Sequence, residues 1–192
     1  MPMTEEEERF CLETCRNAFE QWVRSEERSE PDEWPEFFDQ KSGVFVCAYA
    51  YPYRTLRSKG GFEVTDQCLA EAIVSAAILC AGGEACERIK PSELSKTIIE
   101  VSLLSAPEPI TVINPGKYPA KIEPGTDGII VEKGGRKGLM LPQESKGRGW
   151  TAEDMLMQAC ARTGLAPDEW KTGSCIVRRF RAESVSEKKP PY

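Results

Sequence analysis

The side chains with reactive or ligand-binding potential fall at four places. Leu56-Arg57-Ser58-Lys59-Gly60-Gly61 sets two cations beside a glycine pair. Backbone without side chains lets a ligand come close, while a guanidinium and an ammonium favour an anionic or polar group, so this segment reads as a binding loop. The simpler alternative is a glycine-rich turn with solvated basic side chains, with Glu63 near enough to neutralise one charge. It is no phosphate loop, since GxxxxGK[ST] is absent. Glu100 stands between Ile99 and Val101 in an apolar run. A part-buried carboxylate beside a lysine shifts both groups toward neutral pH, so Glu100 with Lys59, or with a cysteine such as Cys47, is a candidate acid–base pair. Asp127 precedes Gly128, where an Asx turn that fixes the backbone is a simpler role than general base. Gln143 follows Pro142, and its amide suits either a loop backbone or a ligand. The candidate ligand-binding set is therefore Arg57, Lys59, Gly60, Gly61, Glu100, Asp127 and Gln143.

What is missing narrows the chemistry further. The chain has no histidine, which removes the commonest general base and metal ligand together and excludes Ser-His-Asp and Cys-His catalysis within it. Eight cysteines are present: Cys11, Cys15, Cys47, Cys68, Cys80, Cys86, Cys160 and Cys175. None forms a C-x-x-C pair, so zinc ribbons and thioredoxin-like motifs are not written here. Cys11 and Cys15 share one face of a helix and read as small core residues in preference to a ligand pair. A radical-SAM C-x3-C-x2-C motif would need a third cysteine where Ala18 stands. No catalytic set is complete, and no metal or cofactor is expected.

The composition is that of an ordinary globular protein: 192 residues, 40% hydrophobic and 29% charged. A chain of this length suits one domain, or one domain divided into two lobes. A net charge of −6 argues against sequence-independent nucleic-acid binding, which needs a positive footprint. No apolar run approaches the roughly 20 residues that span a bilayer, and Glu5–Glu8 is unlike a secretory leader. The scattered cysteines read as reduced thiols, and a cytoplasmic location is expected, with no membrane partner.

These side chains need elements to place them. Thr4-Glu5-Glu6-Glu7 is a capping box for a first helix ending near Arg28, with Phe10, Leu12, Cys15, Phe19, Trp22 and Val23 at helical spacing. Trp34 to Phe38 returns aromatics to the core. Gly43–Tyr51 reads as a strand, Leu56–Val64 as its return, and Leu69–Cys80 as a deeply buried helix capped by Thr65 or Asp66 and stopped by Gly82-Gly83. Thr97–Leu104 is a central strand, after which five prolines break the chain into short extended pieces. Gly125 to Gln143 is a hairpin turned at Gly134-Gly135 and ended by Pro142. Thr151 caps a helix that ends near Gly164, Ser174–Glu183 is a last strand, and Ser184 onward is a loose tail. Helices separated by adjacent groups of strands indicate an α+β fold, a mainly antiparallel sheet flanked by helices.

Gly43-Val44-Phe45-Val46, Leu56-Arg57 with Gly61-Phe62-Glu63, Glu100-Val101-Ser102, Gly125-x-Asp127-Gly128, Gly138 to Gln143, Gly149-Trp150, Cys160, Gly164-Leu165 and Trp170, in this order, resemble the AMMECR-type domain family. The resemblance covers nearly the whole chain. It implies a single domain over 1–192 with a larger α+β lobe, a smaller, mostly β lobe around 106–145, and an inter-lobe cleft as the functional site. The family has no established biochemical activity. Its members are often encoded beside, or fused to, Memo-like proteins and near radical-SAM enzymes, which implies a role beside machinery that modifies a protein or a nucleic acid. The family hallmark is Leu-Arg-Gly-Cys-Ile-Gly. This chain keeps Leu56, Arg57 and Gly61 but carries Ser58, Lys59 and Gly60 between them.

The expectation is a cytoplasmic binding or accessory factor for an anionic or polar partner. An enzyme using Lys59 or Cys47 with Glu100 is the alternative. A direct RNA or DNA binder resting on Arg178, Arg179, Arg181, Lys188 and Lys189 ranks third.

Overall fold

The computed structural model describes residues 3–82 and 87–191. Gly83 and Cys86 lie outside the described residues. The chain divides into two compact units, the first running to Leu104 and taking in the chain from Glu183 onward, the second being Ser105–Ala182.

In the first unit, helix α1 (Glu5–Ser25) starts at the capping box: Glu7 N–H donates to Thr4 Oγ1 at 3.3 Å and Thr4 N–H to Glu7 Oε2 at 2.7 Å. Four glutamates in its first turn face the positive end of the helix dipole. It stops at Ser25, three residues before Arg28, because Glu26 turns left-handed (φ 59). Cys11, Thr14, Cys15, Ala18, Phe19 and Val23 are its buried stripe, which packs on helix α2 (Leu69–Gly82). Most of α2 is buried, as its uninterrupted apolar run requires. Thr65 Oγ1 accepts from Gln67 N–H at 3.1 Å, shaping the turn ahead of the helix.

Strands β1 (Gly43–Ala50), β2 (Thr55–Phe62) and β3 (Thr97–Leu104) form an antiparallel sheet in the order β2-β1-β3. Every residue of β3 is buried, which accounts for its apolar run. Strand alternation divides β1 and β3. Val44, Val46, Ala48, Ile99 and Val101 enter the core with α1 and α2, so Phe45, Cys47, Tyr49, Ile98, Glu100 and Ser102 take the opposite face.

Two sequence expectations fail here. Arg57–Gly61 is no loop: it lies within β2, as the reading of Leu56–Val64 as a return strand expects, with Ser58–Gly61 paired to β1 and Arg57 at a shift in register. A Cβ on Gly60 would lie 2.3 Å from the backbone nitrogen of Cys80, so its small size seats α2 on β2. Nor is the tail loose from Ser184. The last strand, β7 (Ile176–Ser186), continues beside β3, Val185 is buried, and Glu187 is bound to Arg16 and Ile99.

In the second unit, β4 (Glu108–Pro109) and β5 (Asp127–Lys133) flank β7, and β6 (Arg136–Met140) pairs with β5, all antiparallel. Gly134 and Gly135 both have positive φ, 60 and 76°, as a two-residue hairpin turn of this hand requires. Pro142 ends the strand and also opens a short helix, α3 (Pro142–Lys146). Helix α4 (Ala152–Arg162), capped by Thr151 and Asp154, lays Met155, Leu156, Ala159 and Cys160 among Ile129, Val131, Met140 and Val177. No described helix is long and apolar enough to cross a membrane.

Candidate functional site

Three of the sequence-selected side chains meet on the first unit's sheet. Cys47 in β1 is paired across the sheet with Lys59 of β2 on one side and Glu100 of β3 on the other. Directly opposed residues of neighbouring strands share a face, with Cβ atoms about 4.5–5.5 Å apart. Lys59, Cys47 and Glu100 thus form one row, cation to thiol to carboxylate. Cys47 is 2% exposed, whereas Lys59 is half-buried, its ammonium 5.8 Å from the centre of the Phe45 ring.

Two further residues, Tyr49 and Arg54, complete the Glu100 end and were not singled out by sequence. Tyr49 Oη donates to Glu100 Oε1 at 3.2 Å, and Arg54 Nη2 donates to Glu100 Oε2 at 2.8 Å. Burial first, then the neighbouring Cys47 and Glu100, push the Tyr49 phenol well above its ordinary value. Tyr49 is therefore held as a protonated donor. Its position two residues beyond Cys47 on one strand was the available signal. Arg54, in the turn after β1, offered none.

The other selected residues do different work. Arg57 donates to Glu93 Oε1 at 2.8 Å and to the Glu87 carbonyl at 3.0 Å, and its hydrogen bond holds the Glu93 carboxyl below the usual range. Arg57 thus fastens the segment after α2 to β2. Gly60 faces α2, while Gly61 is paired with Phe45 and would place a Cβ 2.2 Å from the Val44 carbonyl oxygen.

Asp127 and Gln143 belong to the second unit. Asp127 accepts from Glu123 N–H at 2.9 Å while its own N–H donates to the Glu123 carbonyl at 2.8 Å, so it fixes a turn. It also borders a pocket of about 150 Å³ with Ser105, Glu108, Arg179 and Arg181. Gln143 is half-buried in α3. Of the basic residues at the chain's end, Arg178 pairs with Glu132 at 2.5 Å, Arg179 donates to the Lys121 carbonyl at 3.4 Å, and Arg181 stands 3.9 Å from Asp127.

The thiols divide by burial. Burial is the main cause that pushes Cys11 up to about 12, Cys160 to about 11, and Cys15 and Cys175 upward. Cys11 and Cys15 lie in the helical core. Among the described residues no group of three or more acidic, cysteine or histidine side chains is placed to hold a metal ion.

Residues 12–185 match the AMMECR1 family profile. The chain is 37% identical over 194 residues to a protein of Methanothermobacter thermautotrophicus, covering 97% of each. It is 38% identical to protein MK0488 of Methanopyrus kandleri, covering 98% of this chain and 92% of that one. Among solved structures it resembles the uncharacterized protein PH0010 of Pyrococcus horikoshii, with a TM-score of 0.92 and 35% identity over 98% of this chain and 95% of that one. With the profile spanning most of its length and the α+β fold shared, this chain belongs to the AMMECR1 family.

Proposed function

We propose that the chain is a cytoplasmic recognition module, an accessory factor that holds a polar partner on the Lys59–Cys47–Glu100 face of its first unit. The observation that carries this reading is the cross-strand row itself. A cation and a carboxylate stand two strand spacings apart, with a tyrosine donor at one end and the Phe45 ring at the other. Both oxygens of Glu100 accept hydrogen bonds and Tyr49 stays protonated, which suits binding better than proton transfer. The family resemblance supports a place beside protein- or nucleic-acid-modifying machinery, with a Memo-like protein or a radical-SAM enzyme as the first partners to try.

The test is a titration of ¹⁵N-labelled protein with nucleotides, a short RNA, amino acids and peptides, and a Memo-like protein. One class should shift the amides of Cys47, Lys59 and Glu100. Lys59→Ala should then weaken binding about tenfold or more, the loss expected of one charge-assisted hydrogen bond. Ligand shifts that map elsewhere, or an affinity unchanged in Lys59→Ala combined with Glu100→Gln, refute it.

One feature favours a catalytic reading of the same row: the Cys47 thiol lies directly between an amine and a carboxylate. Cys47 would then be the nucleophile, or Lys59 the reacting amine, with Glu100 carrying the proton. Stoichiometric labelling of Cys47 or Lys59 by an electrophilic probe, lost in Glu100→Gln, would favour that alternative.

A further inference from the structure

Arg54 sits in the turn between β1 and β2 in the left-handed region (φ 51), a conformation unfavourable for a residue with a Cβ. From there its guanidinium folds back onto the sheet. Nη2 donates to Glu100 Oε2 at 2.8 Å and Nη1 to Ser186 Oγ at 3.2 Å, while Cζ lies 5.0 Å from the centre of the Tyr49 ring. Tyr49 Oη in turn donates to the other oxygen of Glu100 at 3.2 Å, fixing the carboxylate. A ring face, a braced carboxylate and a separate hydroxyl acceptor are what a planar guanidinium needs: stacking on one side and two divergent donors satisfied at its edge.

The two halves of this contact differ in how firmly they are held. The Glu100 side chain is 10% exposed and belongs to a wholly buried strand, whereas the Arg54 side chain is 46% exposed and belongs to a turn. The acceptors are part of the sheet, and the cation comes from a surface loop. The same turn presents Tyr51 and Tyr53, 45% and 89% exposed, a residue type enriched among the anchors of protein interfaces.

We infer that Tyr49, Glu100 and Ser186 form a guanidinium-recognising subsite, filled by Arg54 in the free chain and taken over by an arginine side chain of a partner peptide. The inference rests on the reading of this sheet face as a recognition surface and names the chemistry of its ligand. Arg54 is then a tethered competitor. The apparent affinity for an incoming arginine is reduced by the fraction of time the subsite is open.

The experiment titrates agmatine, and separately the capped peptide acetyl-Gly-Arg-Gly-amide, into ¹⁵N-labelled wild type, Arg54→Ala, Arg54→Lys and Arg54→Ala/Glu100→Gln. The citrulline peptide, equal in shape and uncharged, is the control. Arg54→Ala should bind the arginine peptide about tenfold or more tightly than wild type, as expected if Arg54 holds the subsite nine-tenths of the time or more. Shifts should fall at Tyr49, Glu100 and Ser186, Glu100→Gln should abolish the gain, and citrulline should be silent. If Arg54→Ala does not fold, Arg54→Lys decides: its single-point ammonium should yield to the arginine peptide more readily than the native guanidinium does. Equal affinity in wild type and the folded Arg54 variant, or binding that survives Glu100→Gln, overturns the inference. A nucleotide or RNA that instead binds through Lys59 would leave the broader recognition reading standing while this one falls.

Discussion

Arg16 and Glu187 tie the end of the chain to its first helix, and removing Glu187 should be among the costliest single changes in the first unit. Glu187 Oε1 accepts from Arg16 Nε at 2.8 Å, and its Oε2 accepts from Arg16 Nη2 and from Ile99 N–H at 2.7 Å. Arg16 Nη2 donates also to the Thr97 carbonyl at 3.0 Å. The two side chains are 9% and 14% exposed, so neither charge has much water to fall back on. Glu187→Ala leaves the Arg16 guanidinium with only the more distant Glu20 carboxylate, 3.7 Å away, and the Ile99 N–H of a buried strand without its acceptor. Breaking one side of a buried pair costs about 3–5 kcal/mol. At about 2–4 °C per kcal/mol for a chain of this size, the melting temperature should fall by roughly 6–20 °C. Urea unfolding followed by circular dichroism, with calorimetry to locate the first unit's transition, measures it. The contrast is Glu30→Ala. Its partner Arg28 is 40% and Glu30 itself 49% exposed, so that pair should contribute about 0.5 kcal/mol or less. A double-mutant cycle with Arg16→Met should show coupling of at least about 1.5 kcal/mol, within the range for residues in direct contact. Loss of less than about 1 kcal/mol in Glu187→Ala would refute the reasoning, because a buried ion pair cannot be broken that cheaply.

Other consequences are as direct. Gly60→Ala and Gly138→Ala should each destabilise by about 2 kcal/mol or more in urea titrations, since a Cβ would meet backbone at 2.3 Å (Cys80 N) and 2.0 Å (Ala159 O), and packed backbone yields poorly. In native protein, alkylation with peptide mapping should mark half-buried Cys68 well before buried Cys11, Cys15, Cys47, Cys80, Cys160 and Cys175; prompt labelling of Cys11 at pH 8 would contradict its burial. Because burial raises Cys11 from 9.0 to about 12, its contribution to stability is complete below about pH 9 and is lost as pH rises toward 12. Cys11→Ala should therefore flatten, though not abolish, the fall of the urea midpoint between pH 9 and 12, since Cys15 is raised in the same sense. Thr151→Ala removes the acceptor for Asp154 N–H and should cost about 1 kcal/mol.

Features written within a few residues of each other were legible in the sequence. The Thr4–Glu7 and Thr151–Asp154 boxes are hydrogen bonds between residues three apart, and the Gly134-Gly135 turn needs only two positive φ angles. The apolar runs of α2 and β3 announced burial because nothing polar interrupts them. Segments shaped by distant partners were misread. Ser58-Lys59-Gly60-Gly61 has the composition of a loop, yet it is strand because β1 pairs along it and α2 demands a residue without a side chain beneath Cys80. The residues after Glu183 look like a polar tail until Arg16, 171 positions away, meets Glu187.

The candidate site shows the same division. Residue type alone marked Lys59 and Glu100 and raised Cys47 as a possible partner, since an ammonium, a carboxylate and a thiol are the reactive groups left to a chain without histidine. Their adjacency was beyond the sequence. It follows from the register of β2, β1 and β3, and shifting one strand by a single residue would turn its side chain to the other face. Arg54 and Tyr49 joined them only through the path of a turn that folds a surface cation back over the sheet. The sequence by itself determined the capped helices, the hairpin turn, the deeply buried runs and the family they build, because those depend on local hydrogen bonds and apolar periodicity. The tertiary structure alone decided which polar groups face one another, because that is set by strand register and by contacts between residues far apart in the chain.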